Sequence, residues 1–238
     1  MRNNLKLKYT MIHLTCLLLS VLMLHTASCY SMKYANEKPV GQIGPKTYIT
    51  PVHQVLTPAG IQVQLPGLRP QAVALSPDGS LLAASGKTRE LILVNPETGD
   101  IKQRVALPSR DIKTPPLTPS DTVKPDRSGQ LSFTGLVFSR DGKRIYLSNV
   151  NGDIKVFNVS DTGQVTGSYS IELPNADAPG RKQAIPAGIA ISENGKLLYA
   201  ALNLSNRLVE IEIETSQILR TWDVGVAPYD VVLKDDKA

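Results

Sequence analysis

The side chains able to do chemistry are few and unevenly placed. Both cysteines, Cys16 and Cys29, and two of the three histidines, His13 and His25, fall within residues 1–29, leaving His53 alone downstream. A Cys/His zinc site, a disulfide framework, a cysteine nucleophile with a histidine base, and a multi-histidine metal centre therefore cannot be assembled from residues 30–238. No Gly-x-Ser-x-Gly nucleophile elbow occurs. Gly86-Lys87-Thr88 has the ending of a phosphate-binding loop, but six residues rather than four separate it from Gly79. Its flanks read as strands, so no helix N-terminus receives a phosphate. Asp78, Asp141 and Glu193 stand in tight-turn sequences, where carboxylates cap their own backbone. These residues give no reason to expect a catalytic group, a metal ligand or a cofactor. What remains is a recurrent set of amides and cations. Lys87, Arg89, Asn149, Asn151, Asn203 and Arg207, with Asn206 beside them, suit an anionic small ligand, an envelope component or a protein segment.

These residues recur because the chain repeats. From residue 61 onward, short alternating apolar runs are separated by turns. Ser76-Pro77-Asp78-Gly79, Ser139-Arg140-Asp141-Gly142, Ser192-Glu193-Asn194-Gly195 and Lys234-Asp235-Asp236-Lys237 each follow one such run. The first three carry the Asp-Gly or Asn-Gly pair favoured in hairpins. Six residues before each turn stand Pro70, Phe133, Pro186 and Pro228, at spacings of 63, 53 and 42. A 42-residue unit with two insertions accounts for all three. Four strands are predicted in each unit: Ala72–Leu75, Leu81–Ser85, Glu90–Val94 and Ile101–Leu107 in the first. Leu136–Phe138, Arg144–Ser148, Asp153–Val159 and Val165–Leu173 follow in the second; Gly188–Ile191, Leu197–Leu202, Arg207–Ile213 and Gln217–Val224 make the third. Four-stranded units of about 40 residues that cannot bury both sheet faces alone are expected to pack as propeller blades.

Both insertions fall between the last strand of one unit and the first of the next, on the side of the turns that carry the amides and cations. Insertions gathered on one side mark a binding surface. The first, Pro108–Ser128, holds Pro108, Pro115, Pro116, Pro119 and Pro125 and reads as a semi-rigid loop. The second, Pro174–Ala184, carries Asp177, Arg181 and Lys182. Trp222, Phe133, Phe138 and Phe157 lie in strands or at their starts, as blade packing would have them, and are too scattered to stack nucleic-acid bases.

The stretch from Pro70 to Thr98-Gly99 resembles the YVTN-type β-propeller repeats, also called YncE-like: a Pro-led first strand, a Ser-Pro-Asp-Gly turn, a second strand, and a third closed by Thr-Gly. Pro186–Thr215, with Asn203, and Phe133–Gly163, with Asn149, follow the same pattern; Ser85-Gly86 replaces its Asn in the first unit and Phe133 its Pro in the second. Ile61–Leu65 followed by Gly67-Leu68-Arg69-Pro70-Gln71 is similar to the propeller module of bacterial proteins that join a YncE-like part to an alkaline-phosphatase-like part, so the resemblance covers residues 46–238. It implies an all-β, seven-bladed type of propeller. Seven 42-residue blades need about 294 residues. Residues 67–238 number 172, which without the 21 and 11 extra residues of the insertions come to 140, about three and a third units. The expected blades are 67–107, 129–173 and 185–224, with 225–238 starting a fourth through a strand at Tyr229–Leu233. Ile61–Leu65 is expected to be a ring-closing strand. An open arc leaves edges unpaired, so a truncated chain is expected, with self-association of arcs as the alternative. The function implied is non-catalytic binding or scaffolding. Lactonase-type propellers resemble these repeats too, and a front piece of a two-part phosphoesterase would have its metal ligands beyond Ala238.

Charge sorts by position as well. The chain has 26 basic against 21 acidic residues, but residues 1–29 hold Arg2, Lys6 and Lys8 and no acid, leaving 23 against 21. Nucleic acid is therefore not a favoured partner. Basic Met1–Lys8, apolar Met11–Leu24 and small Thr26-Ala27-Ser28-Cys29 form a three-part export signal. The apolar run is shorter than the ~20 residues of a membrane span. Cys29 is a candidate lipidation site, as in bacterial lipoproteins, although Thr26 stands where leucine is usual. Membrane attachment would come through Cys29 or an uncleaved signal; ordinary cleavage next to Ser28 is the other outcome. A periplasmic or lipoprotein location follows, with residues 30–60 as an extended arm.

Overall fold

The computed structural model describes residues 39–113, 115, 124–129 and 131–234. The expected export signal, including Cys29, lies outside them, as do Pro116, Pro119 and the Lys234 turn beyond its first residue. Two compact units divide near Gln62/Val63.

In the first unit the expected extended arm is replaced by a three-stranded antiparallel meander, β1 (Gly41–Gly44), β2 (Thr47–Ile49) and β3 (Val55–Leu56). Gln42 pairs with Tyr48, and Tyr48 with Leu56. The second reversal is closed by His53 at φ 62°, Thr50 Oγ1 accepting from the Gln54 amide, and the His53 amide donating to Thr50. Strands of two to four residues are too short to show alternation, so the sequence pattern is silent there. His53 is thus an exposed turn residue.

The second unit is an open, partial β-propeller of three four-stranded antiparallel sheets. Blade one is β4 (Pro70–Leu75), β5 (Leu82–Gly86), β6 (Glu90–Val94) and β7 (Ile101–Ala106). Blade two is β8 (Leu131–Phe138), β9 (Arg144–Asn149), β10 (Asp153–Val159) and β11 (Val165–Glu172). The second insertion forms its own ribbon, β12 (Asn175–Ala178) with β13 (Arg181–Gln183). Blade three is β14 (Pro186–Ile191), β15 (Leu197–Leu202), β16 (Arg207–Glu212) and β17 (Ile218–Asp223). All twelve expected blade strands are present within a few residues of their predicted bounds.

The first turn of each blade is the same device three times. The amides of Gly79, Gly142 and Gly195, at φ 71–73°, donate back to Ser76, Ser139 and Ser192. Asp78, Asp141 and Asn194 accept from the serine hydroxyl and from the amide two residues on. The third capping residue is Asn194, so Glu193 does not hold the position expected of it. These bonds hold Asp78 down to about 2, chiefly through Ser76 and Ser80.

Alternation then builds two inter-blade cores. Ile145, Leu147 and Phe157 face blade one, against Leu91, Leu93 and Leu107. Tyr146, Ile154, Val156 and Tyr169 face blade three, against Ile189, Leu198, Val209 and Ile211. Phe138 and Phe157 are buried, as expected, whereas Trp222 is 37% exposed on the last strand of blade three. The inner strands approach closely at Gly135, where a Cβ would collide with Ser148 Oγ and the Ala187 carbonyl.

Two expected strands are absent. Ile61–Leu65 makes no ladder; its residues are exposed except Leu65, which packs on the outer side of blade one. Tyr229–Leu233 makes none either. A first blade strand takes its ladder from the second strand of its own blade, and none follows among the described residues. Its start nonetheless docks on blade three: the Gly188 amide donates to Tyr229 O, and Asn203 Nδ2 to Pro228 O.

Candidate functional site

The two insertions and the turns between second and third strands do share one side of the blades. The Leu107 amide donates to Arg89 O, Leu173 to Gly152 O, and Asn203 to Ile185 O, each tying the end of one strand run to the neighbouring turn.

Most of the predicted binding residues are occupied within this scaffold. Asn149 is fully buried and donates from Nδ2 to Asp153 Oδ1 at 2.5 Å. Asn151 donates to Ser128 O at 2.6 Å. Asn203 follows the end of β15 in a single 3-10 turn, Asn203–Ser205, and holds Pro228 O. Asn206 has φ 54° and accepts from the Ala227 amide at 2.9 Å. Arg207 donates from Nε to Asp223 Oδ1 at 3.2 Å. An amide side chain offers donors and an acceptor at once, which is what irregular backbone on the loop side requires. Lys87 and Arg89 are exposed. Arg89 lines a cleft with Pro66, Gly67, Glu90 and Arg104, where Arg104 pairs with Glu90 at 3.3 Å. Asn149, Asn151, Asn203 and Arg207 do not line it.

The densest polar site was not anticipated. Strand β10 begins Asp153-Ile-Lys155-Val-Phe157, and its alternation turns Asp153, Lys155 and Phe157 toward blade one. Lys155 has no exposed surface. Its Nζ lies 2.6 Å from Asp126 Oδ2, 3.1 Å from Asp153 Oδ2, 2.9 Å from Pro108 O and 3.1 Å from Ser170 Oγ. Arg110 Nε adds a contact of 3.0 Å to Asp153 Oδ2. Asp126 also accepts from the amide and hydroxyl of Ser128. Burial would raise the Asp126 carboxyl, but hydrogen bonds from Lys155 and Ser128 and the Lys155 charge outweigh it and hold the group below its usual value.

This arrangement is a clamp. Pro108 and Asp126 are the two ends of the first insertion, and one ammonium holds both. Backbone bonds from Ser109 to Lys124 O and from Asp126 to Leu107 O close the same neck. Three N–H groups face four acceptors, so none is left to polarise a substrate. Both Asp153 oxygens are taken likewise. Outside the clamp, a cleft of about 250 Å³ is lined by Arg110, Asp111, Lys113, Asp153, Ser170 and Glu172. There Lys113 pairs with Glu172 at 2.5 Å. The signal that could have found the site is a lysine at an inward position of an otherwise apolar strand.

The second insertion is also pinned: Arg181 donates to Val150 O and Gln183 O. Among the described residues, no group of three or more His, Cys, Asp or Glu side chains is placed to hold a metal ion.

No known protein-family profile matches the sequence. No characterised protein matches it in sequence either. Solved structures match it in shape. The periplasmic gluconolactonase PpgL of Pseudomonas aeruginosa is 18% identical with a TM-score of 0.52, over 77% of this chain and 48% of that one. The Cps50 (Swd1) β-propeller domain of Myceliophteria thermophila is 11% identical with a TM-score of 0.53, over 78% and 51%. Hydrazine synthase of Kuenenia stuttgartiensis is 19% identical with a TM-score of 0.50, over 72% and 41%. The chain thus spans about half, or less, of the length of these structures. At such identities the likeness shows the propeller fold alone.

Proposed function

We propose that the chain is an exported, non-catalytic propeller module of YncE-like type whose loop side binds an anionic partner. The observation that carries this reading is the clamped loop platform. The two ends of the first insertion are fixed by Lys155 and the second insertion by Arg181, and Lys87 and Arg89 stand exposed in the turn beside the first. A surface preorganised in this way loses little loop entropy on binding. The carboxylates of the clamp, Asp126 and Asp153, are held by Lys155 and Arg110, which suits scaffolding better than water activation.

The test uses poly-glutamate as an acidic probe, with binding read by anisotropy across a salt series. Binding should weaken steadily with ionic strength and drop about tenfold in the double variant Lys87→Glu, Arg89→Glu, with an unchanged melting temperature. Equal binding by the variant would overturn the placement on this side. Hydrolysis of gluconolactone by the purified chain, abolished by Asp153→Asn in a protein that still folds, would overturn the non-catalytic reading. Export is tested by fractionation: Cys29→Ser should release the protein from membranes if Cys29 is lipidated.

A further inference from the structure

On the side opposite the loops, the first turns of blades two and three enclose a cleft of about 310 Å³, with Arg140, Asp141, Lys143, Arg144, Tyr146 and Asn194 in its lining. Three cations there face one carboxylate. Asp141 is already spent on the Ser139 hydroxyl at 2.6 Å and the Lys143 amide at 3.0 Å. Arg140 bridges the two blades, donating to Ile191 O and Ser192 O, so the walls are fixed before anything binds. Asn194 spends its Oδ1 on Ser192 and Lys196, leaving its NH2 group as a donor. Among the described residues, the Lys143 ammonium pairs with the exposed Asp161 at 3.7 Å.

Two features are unexplained by folding. Arg144 forms no close ion pair among the described residues; partly withdrawn from water, it faces the Tyr146 hydroxyl and meets the Asp141 charge only at longer range. Tyr146 lines the cleft and is wholly buried, and its hydroxyl faces the Arg144 guanidinium without a well-formed hydrogen bond. Behind it, Tyr169 shares the same cross-strand row through Val156, and its buried hydroxyl faces that of Ser216 without a well-formed hydrogen bond. Burial pushes the Tyr146 phenol up to about 12, so at neutral pH it is an O–H donor. Unpaired buried hydroxyls are costly, and native proteins rarely leave them so. A water would satisfy the hydroxyls but would leave three cations facing the single carboxylate of Asp141.

We propose that this inter-blade cleft binds a small oxyanion, a carboxylate or a phosphate, held by Arg144 and the Tyr146 hydroxyl with Lys143 and Asn194 at the mouth. Guanidinium and phenol donors converging on oxygen acceptors make charge-assisted bonds, the strongest class available to a small site. The site is separate from the loop side and stands or falls independently of the function proposed there.

The experiment measures thermal stability and calorimetric binding with sodium phosphate, sodium acetate and sodium chloride at matched ionic strength. Phosphate or acetate should raise the melting temperature above the chloride control, and whichever does so names the ligand chemistry. Arg144→Gln should weaken that binding about tenfold or more. Tyr146→Phe should weaken it too, while the anion-free protein melts little lower, because the deleted hydroxyl makes no well-formed hydrogen bond in the free cleft. Shifts no larger than with chloride would overturn the proposal. So would shifts that survive in both variants.

Discussion

Blades two and three each carry an ion group anchored on their third strand, and the two differ in what covers them. On β10, Lys155 is sealed between blade two, the first insertion and blade one, and all its bonds are internal. On β16, Glu210 is itself buried, accepting from Tyr199 at 2.6 Å and from both Nε and Nη2 of Arg220. Arg220, however, lies 63% exposed over Trp222 at 5.3 Å, and Trp222 stacks on Tyr199 at 6.5 Å. Burial alone would raise Glu210, but Arg220 and Tyr199 more than offset it and hold the carboxyl below its usual value. Similar charges thus do different work. Where a neighbouring blade and loop exclude water, the ion group is a clamp whose loss leaves bare charges in the core. Where one partner meets solvent, water replaces what a mutation removes.

The largest break in that contrast is Lys155→Ala. It leaves Asp126 and Asp153 buried without their common partner and should cost about 3–5 kcal/mol, read by urea denaturation, with the neck of the first insertion opening to proteolysis. Lys155→Met combined with Asp126→Leu should regain part of this, because an apolar replacement removes the orphaned charge together with its partner.

Asp126→Asn is milder. One hydrogen bond to a charged group goes, worth about 1.5–3 kcal/mol, and the pH profile changes shape. Asp126 is held below its usual value, so its contribution is complete above the unfolded carboxylate pKa of about 3.9 and vanishes as pH falls through the lower folded value. The wild-type chain should lose stability more steeply below about pH 4 than Asp126→Asn, in melts at stepped pH. Smallest should be Arg220→Ala, whose effect shrinks further as salt is added. A cost equal to that of Lys155→Ala would show that cover does not govern the difference.

How much was legible in advance follows the same physics. The turn sequences at Ser76, Ser139 and Ser192 report local geometry, because a serine, an acceptor at the third position and a glycine at positive φ build the reversal from their own atoms. The strands between them announced themselves by alternation. The turns between second and third strands lie on one side, since connectivity alone assigns a turn to an edge of the sheet. The partners of the predicted binding residues were not readable. Asn149 and Asn203 were chosen as polar and loop-borne, yet the structure turns Asn149 to the Asp153 carboxylate and Asn203 to the Pro228 carbonyl.

The sequence by itself determined the blade, its repeat and the side on which each loop emerges, all consequences of near-neighbour periodicity. Tertiary structure alone decided that Lys155 reaches Asp126, 29 residues away, and Pro108, 47 away. It also decided that Tyr146 faces a cleft shared with Asn194 of the next blade. Such pairings depend on how two sheets and an insertion pack, and a repeat pattern specifies the units without specifying what crosses between them.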